Sequence, residues 1–158
     1  LIKAFHLIDN EDLKLVIVGE RDGKIENLKE TLASKKEKII FHQAISNTEL
    51  PGIYAMARIF CFPSFAEGFG LPPLEAMASG IPVIVSHSTS MPEICGEASE
   101  YINPKDERSI ANAIKKILSN PALENRMKKA GLKQASGYTW DQTCHTLMQS
   151  IINSPKNA

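Results

Sequence analysis

Two glutamates carry the chemistry that this sequence offers. Glu67 stands in "SFAEGFG", a loop broken by Gly68 and Gly70, and Glu75 follows on the apolar segment "LPPLEAMASG". Glycines, lacking a Cβ, let a backbone turn sharply and come close to a ligand. Pro72 and Pro73 suit the first turn of a helix, where leading amides have no internal partner. The remaining free N–H groups, with the helix dipole, form a site for an anion. A carboxylate beside such a site can accept paired hydrogen bonds from a diol such as a ribose, each worth about 1.5–3 kcal/mol. Taken singly, Glu67 also reads as a solvated loop residue. Glu75, bordering a stripe of Leu74, Met77 and Ala78, also reads as a first-turn residue satisfied by the dipole. Together, the carboxylates, the glycines and the helix start point to a ligand built of sugar and phosphate.

Strands alternating with helices must position these groups. "KLVIVGE" (14–20) is continuous and β-branched, the pattern of a strand buried on both faces. "KIENLKETLASK" then has helical spacing through Ile25, Leu28 and Leu32. "KIIFHQ" (38–43) is the second strand. The helix in "SNTELPGIYAMA" can be capped by Ser46 or Asn47, with Pro51 in its first turn. "RIFCFPS" (58–64) is the third strand, ended by Pro63, which cannot donate within a ladder. "PVIVS" (82–86) and "SEYIN" (99–103) follow, separated by the loop "HSTSMPEICGEA". Three helices close the chain: one with Ile110, Ile114 and Ile117 on a single face, one from Pro121 to about Ala135, and "TWDQTCHTLMQSII". The pattern predicts an α/β fold, a Rossmann-like three-layer αβα sandwich on a parallel sheet. Ligands bind such sheets outside the carboxyl ends of the strands, where "AEGFG" lies. One domain covers 1–152, and the tail "NSPKNA" (153–158) reads as disordered.

Composition narrows the function. With 158 residues the chain can bury one sizeable core. Its 18 basic and 18 acidic residues balance, which offers no electrostatic case for nucleic acid or an anionic membrane. The apolar runs are strand-length, so no transmembrane segment is expected. Cys61, Cys95 and Cys144 are an odd set without C-x-x-C spacing, favouring reduced thiols in a cytosolic setting over disulfides or zinc. The four histidines are scattered, and none pairs at i, i+4 as a metal site requires. The chain starts at Leu1, inside the helical "LIKAFHLI", and is expected to be a piece of a longer protein.

"EGFGLPPLEAMASGIPVIVS" closely resembles the signature of the family 4 retaining glycosyltransferases, which carry two glutamates around "GFG". "KLVIVGE", "IIFHQAISNTELPGIYAMARIFCFPS", "MPEICGEASEYINPKDERSIANAI" and the late "YTW" follow in that family's order, so the likeness covers essentially the whole chain. It implies the C-terminal, nucleotide-sugar-binding half of a GT-B enzyme. On that resemblance, Glu67 is the catalytic-site residue, facing the donor sugar near its anomeric carbon. The amides of Phe69, Gly70 and Leu71, in the loop with Gly68, would meet the sugar and diphosphate. Glu75 would hold the ribose hydroxyls, and Ala44 and Ile45 would touch the base through backbone atoms. Glu93 in "SMPEICG" also matches the pattern, and reads alternatively as a cap for its short helix. No motif carries His42 or Arg21.

The resemblance further implies transfer of a hexose from GDP-mannose or a UDP-hexose to an acceptor hydroxyl, with retention, in cell-surface polysaccharide synthesis. Same-face attack through an oxocarbenium-like state leaves the protein to position the groups and stabilise the departing diphosphate. No metal cofactor is expected, in keeping with the lack of a D-x-D pattern. A sugar or lipid-linked acceptor would bind a preceding N-terminal domain, in the cytoplasm or at the inner membrane face. The family's basic arginine–lysine pair lies upstream of "LIKAFHLI" and is not in this chain, so this piece alone is expected to be inactive and to bind donor weakly. The closing helix is expected to run towards the N-terminal domain, leaving Leu147, Ile151 and Ile152 as a face for self-association. Rival readings are a non-catalytic nucleotide-sugar-binding module, another GT-B enzyme such as an epimerase or phosphorylase, and a flavodoxin-like signalling domain. The last wants an acidic cluster where this chain has Glu20 beside Arg21.

Overall fold

The apolar runs fold as short parallel strands, seen in a computed structural model that describes residues 1–19, 35–43 and 45–153. Strand β1 (Leu15–Val18) pairs with β2 (Ile39–His42), Leu15 standing opposite Ile39. Strands β3 (Phe60–Phe62), β4 (Val83–Ser86) and β5 (Ser99–Ile102) pair in that order. Among the described residues every pairing is parallel, as expected, but the strands form two ladders where one sheet was predicted. Helix α1 (Ile2–His6) serves both: Ile2 and Phe5 cluster with Ile39, while Ala4 joins Ile84 and Ile102.

The helices among the described residues are α2 (Leu50–Met56), α3 (Leu71–Ala78), α4 (Met91–Cys95), α5 (Glu107–Leu118), α6 (Pro121–Ser136) and α7 (Trp140–Ile152). Their starts follow from local chemistry. Asp106 accepts from the Arg108 amide, Asn120 from that of Leu123 and Thr139 from that of Gln142, each side chain capping its helix. Ahead of α2, Ser46 and Glu49 form a reciprocal box: the Glu49 amide donates to Ser46 Oγ and the Ser46 amide to Glu49 Oε2. Of the two expected caps, then, Ser46 serves and Asn47 takes no part.

Strand β4 is the middle strand of the three-stranded ladder, and its alternation sorts the core. Ile84 faces Ile110, Ile114 and Ile117 of α5 on one side. Val83 and Val85 face Leu74 and Met77 of α3 and Met91 of α4 on the other. Each large side chain so buried contributes about 1.5–3 kcal/mol. Strand β1 departs from expectation. Leu15 and Ile17 pack towards α1, but Val16 and Val18 on the opposite face stay 44% exposed. The continuous apolar run predicted burial on both faces, and the segment 20–34 that follows β1 lies outside the described residues. On α3, Ala76 is buried and Ala78 exposed, so the apolar stripe sits one step from where it was read.

The helix read in "KIENLKETLASK", with the exception of Lys35, lies outside the described residues, as does the tail beyond Asn153, which itself ends α7 in a turn. Among the described residues, no helix is long and apolar enough to cross a membrane. Helix α7 has no buried residue; Trp140, Leu147, Ile151 and Ile152 are all exposed.

Candidate functional site

Strand β3 ends where Pro63 ends it, and the chain enters the loop that holds Glu67, which is half-buried. The loop closes at Gly70, whose φ of 114° and ψ of 49° turn it into α3. No other residue fits there without strain, and a Cβ would also lie 2.4 Å from Met91 Cε. Gly68 differs: its φ is ordinary, and a Cβ on it would meet nothing within 4 Å. The expectation that both glycines serve the turn holds for Gly70 alone. Among the described residues no acceptor meets the amides of Gly68, Phe69, Gly70 or Leu71. These N–H groups are gathered at the carboxyl end of β3 and the start of α3, an arrangement suited to an anion.

A second segment braces this loop. Strand β4 runs directly into "SHSTS" (86–90), and four of its hydroxyls reach across. Ser86, fully buried, donates to the Ser64 carbonyl, and Ser88 Oγ bonds Ser86 Oγ at 3.0 Å. Thr89 Oγ1 accepts the Glu67 amide at 3.0 Å. Ser90 donates to the carbonyls of Glu67 at 3.1 Å and Phe69 at 2.8 Å. Both polar groups of the Glu67 backbone are thereby tied. From the far end of α6, Tyr138 sets its ring edge-on to Phe69, centroids 6.0 Å apart, and its hydroxyl donates to the Glu93 carbonyl.

Glu75 lies one turn into α3, exposed, between the buried Leu74 and Ala76. Its partner is Tyr54 of α2, whose hydroxyl donates to Glu75 Oε2 at 3.0 Å. Only 8% of Tyr54 is exposed, and its ring meets Phe60 edge-on at 5.5 Å. Burial, then the neighbouring Glu75 carboxylate, push the Tyr54 phenol well above its ordinary range, so it stays a donor at any physiological pH. Among the described residues Glu75 Oε1 has no hydrogen-bond partner, and the residue is exposed.

Residues 1–134 match the family described as glycosyl transferases group 1. The chain belongs to that family. It is similar to the serotype-specific mannosyltransferase WbdA of Escherichia coli, 33% identical over 96% of this chain and 19% of WbdA. It is 38% identical to the O-antigen chain mannosyltransferase RfbU of Salmonella typhimurium, over 74% of this chain and 34% of RfbU. The structure resembles the C-terminal domain of the group 1 protein LpcC from Francisella tularensis, with a TM-score of 0.74, 30% identity, and coverage of 86% of this chain and 75% of that one. The chain thus spans about a fifth to a third of the curated relatives named here. Its fold is the Rossmann-like domain of GT-B glycosyltransferases.

In this group 1 domain, Glu67, Gly68, Phe69, Gly70, Leu71 and Glu75 share one connection, from β3 through the first turns of α3. Ile45 stands apart, half-buried beyond β2 in the other ladder, and Ala44 lies outside the described residues. Glu93 does not cap α4: its side chain is exposed and makes no cap bond. His42 is exposed at the end of β2, and Arg21 lies outside the described residues. Sequence reasoning passed over Tyr54, Thr89 and Ser90. A run of hydroxyl residues directly after a central strand was the one available signal for the last two. Tyr54, in an apolar helix, offered none.

Proposed function

We propose that this domain is the donor half of a retaining hexosyltransferase of family 4 type, and that it binds a nucleotide-diphosphate sugar. The observation that carries the reading is the juxtaposition at the carboxyl end of β3. There the half-buried Glu67, unpartnered amides from Gly68 to Leu71, and Glu75 fixed by Tyr54 lie along one short connection. In this reading Glu67 faces the sugar, the amides of Phe69, Gly70 and Leu71 take the sugar and diphosphate, and Glu75 takes the ribose. Backbone atoms at Ala44 and Ile45 take the base. The names of WbdA and RfbU support a mannosyl donor, so GDP-mannose is the first candidate and a UDP-hexose the second. In transfer, the bond from the anomeric carbon to the diphosphate oxygen breaks and the acceptor oxygen takes its place on the same face. The acceptor proton passes to the departing phosphate. The amides stabilise the charge that develops there. The reading needs no divalent cation, and places the acceptor, a sugar or a lipid-linked sugar, on another domain of the full-length cytoplasmic protein. This domain alone then completes no transfer.

Calorimetric titration with GDP, UDP, GDP-mannose and UDP-glucose tests the reading, on this chain and on the full-length protein, with and without a chelator. One nucleotide class should bind, and Glu75→Ala should weaken it about 10-fold, or 1.4 kcal/mol. A full-length protein that binds none of the four at millimolar concentration overturns the reading.

A further inference from the structure

Among the described residues, Thr89 is the one non-glycine with a positive φ, at 48°. In that region the Cβ of an L residue crowds its own backbone, and a β-branched residue seldom goes there. Packing does not force it, because Thr89 is exposed. Hydrogen bonds pin the chain on either side instead, Ser88 to Ser86 and Ser90 to the carbonyls of Glu67 and Phe69. Between those pins the Thr89 hydroxyl accepts the Glu67 N–H at 3.0 Å. Strain that its surroundings over-determine, placed beside a ligand site, marks a geometry kept for function.

We propose that Thr89 is a positioning residue that aims the Glu67 carboxylate at the donor's sugar, an inference that rests on the donor-site reading above. The Glu67 N–H goes to Thr89 and its C=O receives Ser90, so both adjoining peptide planes are held. The direction in which the Glu67 side chain leaves the backbone is then fixed, and only its own rotamers remain. The work is done by the hydroxyl oxygen at 89. Were the backbone shape alone required, glycine would supply it without strain.

Substitution separates these roles. Thr89→Ser keeps the acceptor, Thr89→Gly removes both acceptor and strain, and Thr89→Ala removes the acceptor alone. The full-length protein and each variant are titrated with GDP, UDP, GDP-mannose and UDP-glucose, and melted in parallel. The serine variant should bind the nucleotide sugar as the parent does. The glycine and alanine variants should lose about 5- to 10-fold for it, the scale of one hydrogen bond, while the matching nucleoside diphosphate binds unchanged. The glycine variant should also melt no lower than the parent, which parts function from stability. Equal binding of the nucleotide sugar by the glycine variant and the parent overturns the proposal. So does a parallel loss for diphosphate and sugar, which would mean that the whole loop had collapsed. If the parent itself binds none of the four ligands, the donor-site reading has failed and this inference falls with it; if the parent binds, the variants judge Thr89 alone.

Discussion

The Tyr54 hydroxyl donates to Glu75 Oε2 across 3.0 Å, tying a carboxylate on the surface of α3 to a ring buried under α2. The exposed partner is free to turn and the buried one is not. A carboxylate on the surface thus has its rotamer chosen from inside the core.

Tyr54→Phe keeps the ring and removes the donor. It should lower folding stability by about 0.5–1.5 kcal/mol, read from urea unfolding. In the same variant, preference for GDP or UDP over the 2′-deoxy form should shrink, since Glu75 is no longer aimed. Undiminished preference in a folded variant would show that Tyr54 does not orient the ribose site.

Gly70→Ala meets two obstacles, a φ of 114° and Met91 Cε at 2.4 Å from the new Cβ. Methionine is flexible enough to move, so the clash is the lesser one. The backbone term should cost about 1–3 kcal/mol, measured by guanidinium unfolding. Adding Met91→Ala should not restore stability, because it removes only the clash and opens a cavity. Recovery in the double variant would mean that sterics, not backbone conformation, demanded glycine.

Gly131 on α6 lets α3 come close: a Cβ there would stand 3.2 Å from Met77 Cγ. Gly131→Leu improves helix propensity and overfills the contact, so any loss comes from packing. About 1–3 kcal/mol should be lost. Because α3 carries Glu75, nucleotide affinity should fall with it, in a titration run where the variant is still folded.

The thiols give an alkaline signature. Burial pushes Cys61 up to about 12 and Cys95 up to about 11, from an ordinary value of 9.0. The folded state therefore keeps these protons longer than the unfolded chain does. Their contribution is whole below pH 9 and drains away as pH rises through about 11 to 12. Each thiol adds at most about 1.4 kcal/mol per pH unit inside its window. Guanidinium midpoints from pH 8 to 11 should fall above pH 9, and less steeply in Cys61→Val. At pH 8 an alkylating reagent should label the exposed Cys144 first.

The fold was legible because it is written in local patterns: strand-length runs for β1 to β5, the isoleucine stripe of α5, and Pro121 at the start of α6. The caps at Asp106, Asn120 and Thr139 entered only with the structure. The gathering of Glu67, Gly70 and Glu75 on one connection was legible because glycines, prolines and carboxylates seldom crowd one stretch by chance. What holds them was not. Tyr54 lies 21 residues from Glu75, and no spacing rule joins a helix interior to another helix's surface. Thr89 looked like any loop residue, since strain shows only in a φ angle.

Strands β3 and β4 run in fixed register, Phe60 opposite Val83, and the hydroxyl contacts of 86–90 with 64–69 prolong that pairing past the strands. This makes the span from Phe60 to Met91 a counted length. One residue added between Pro63 and Gly70 moves the Glu67 peptide out of reach of Thr89 and Ser90. One residue lost from β4 exchanges Ile84 with Val83 and Val85 between the two cores that they fill. The turns at 103–106 and 119–120 are held by their own helix caps, Asp106 and Asn120, and not by a pairing prolonged from two strands. Over evolutionary time, insertions and deletions should gather around α5, α6 and α7 and be purged between β3 and α4. In that stretch, descent has to preserve the number of residues before it preserves their names.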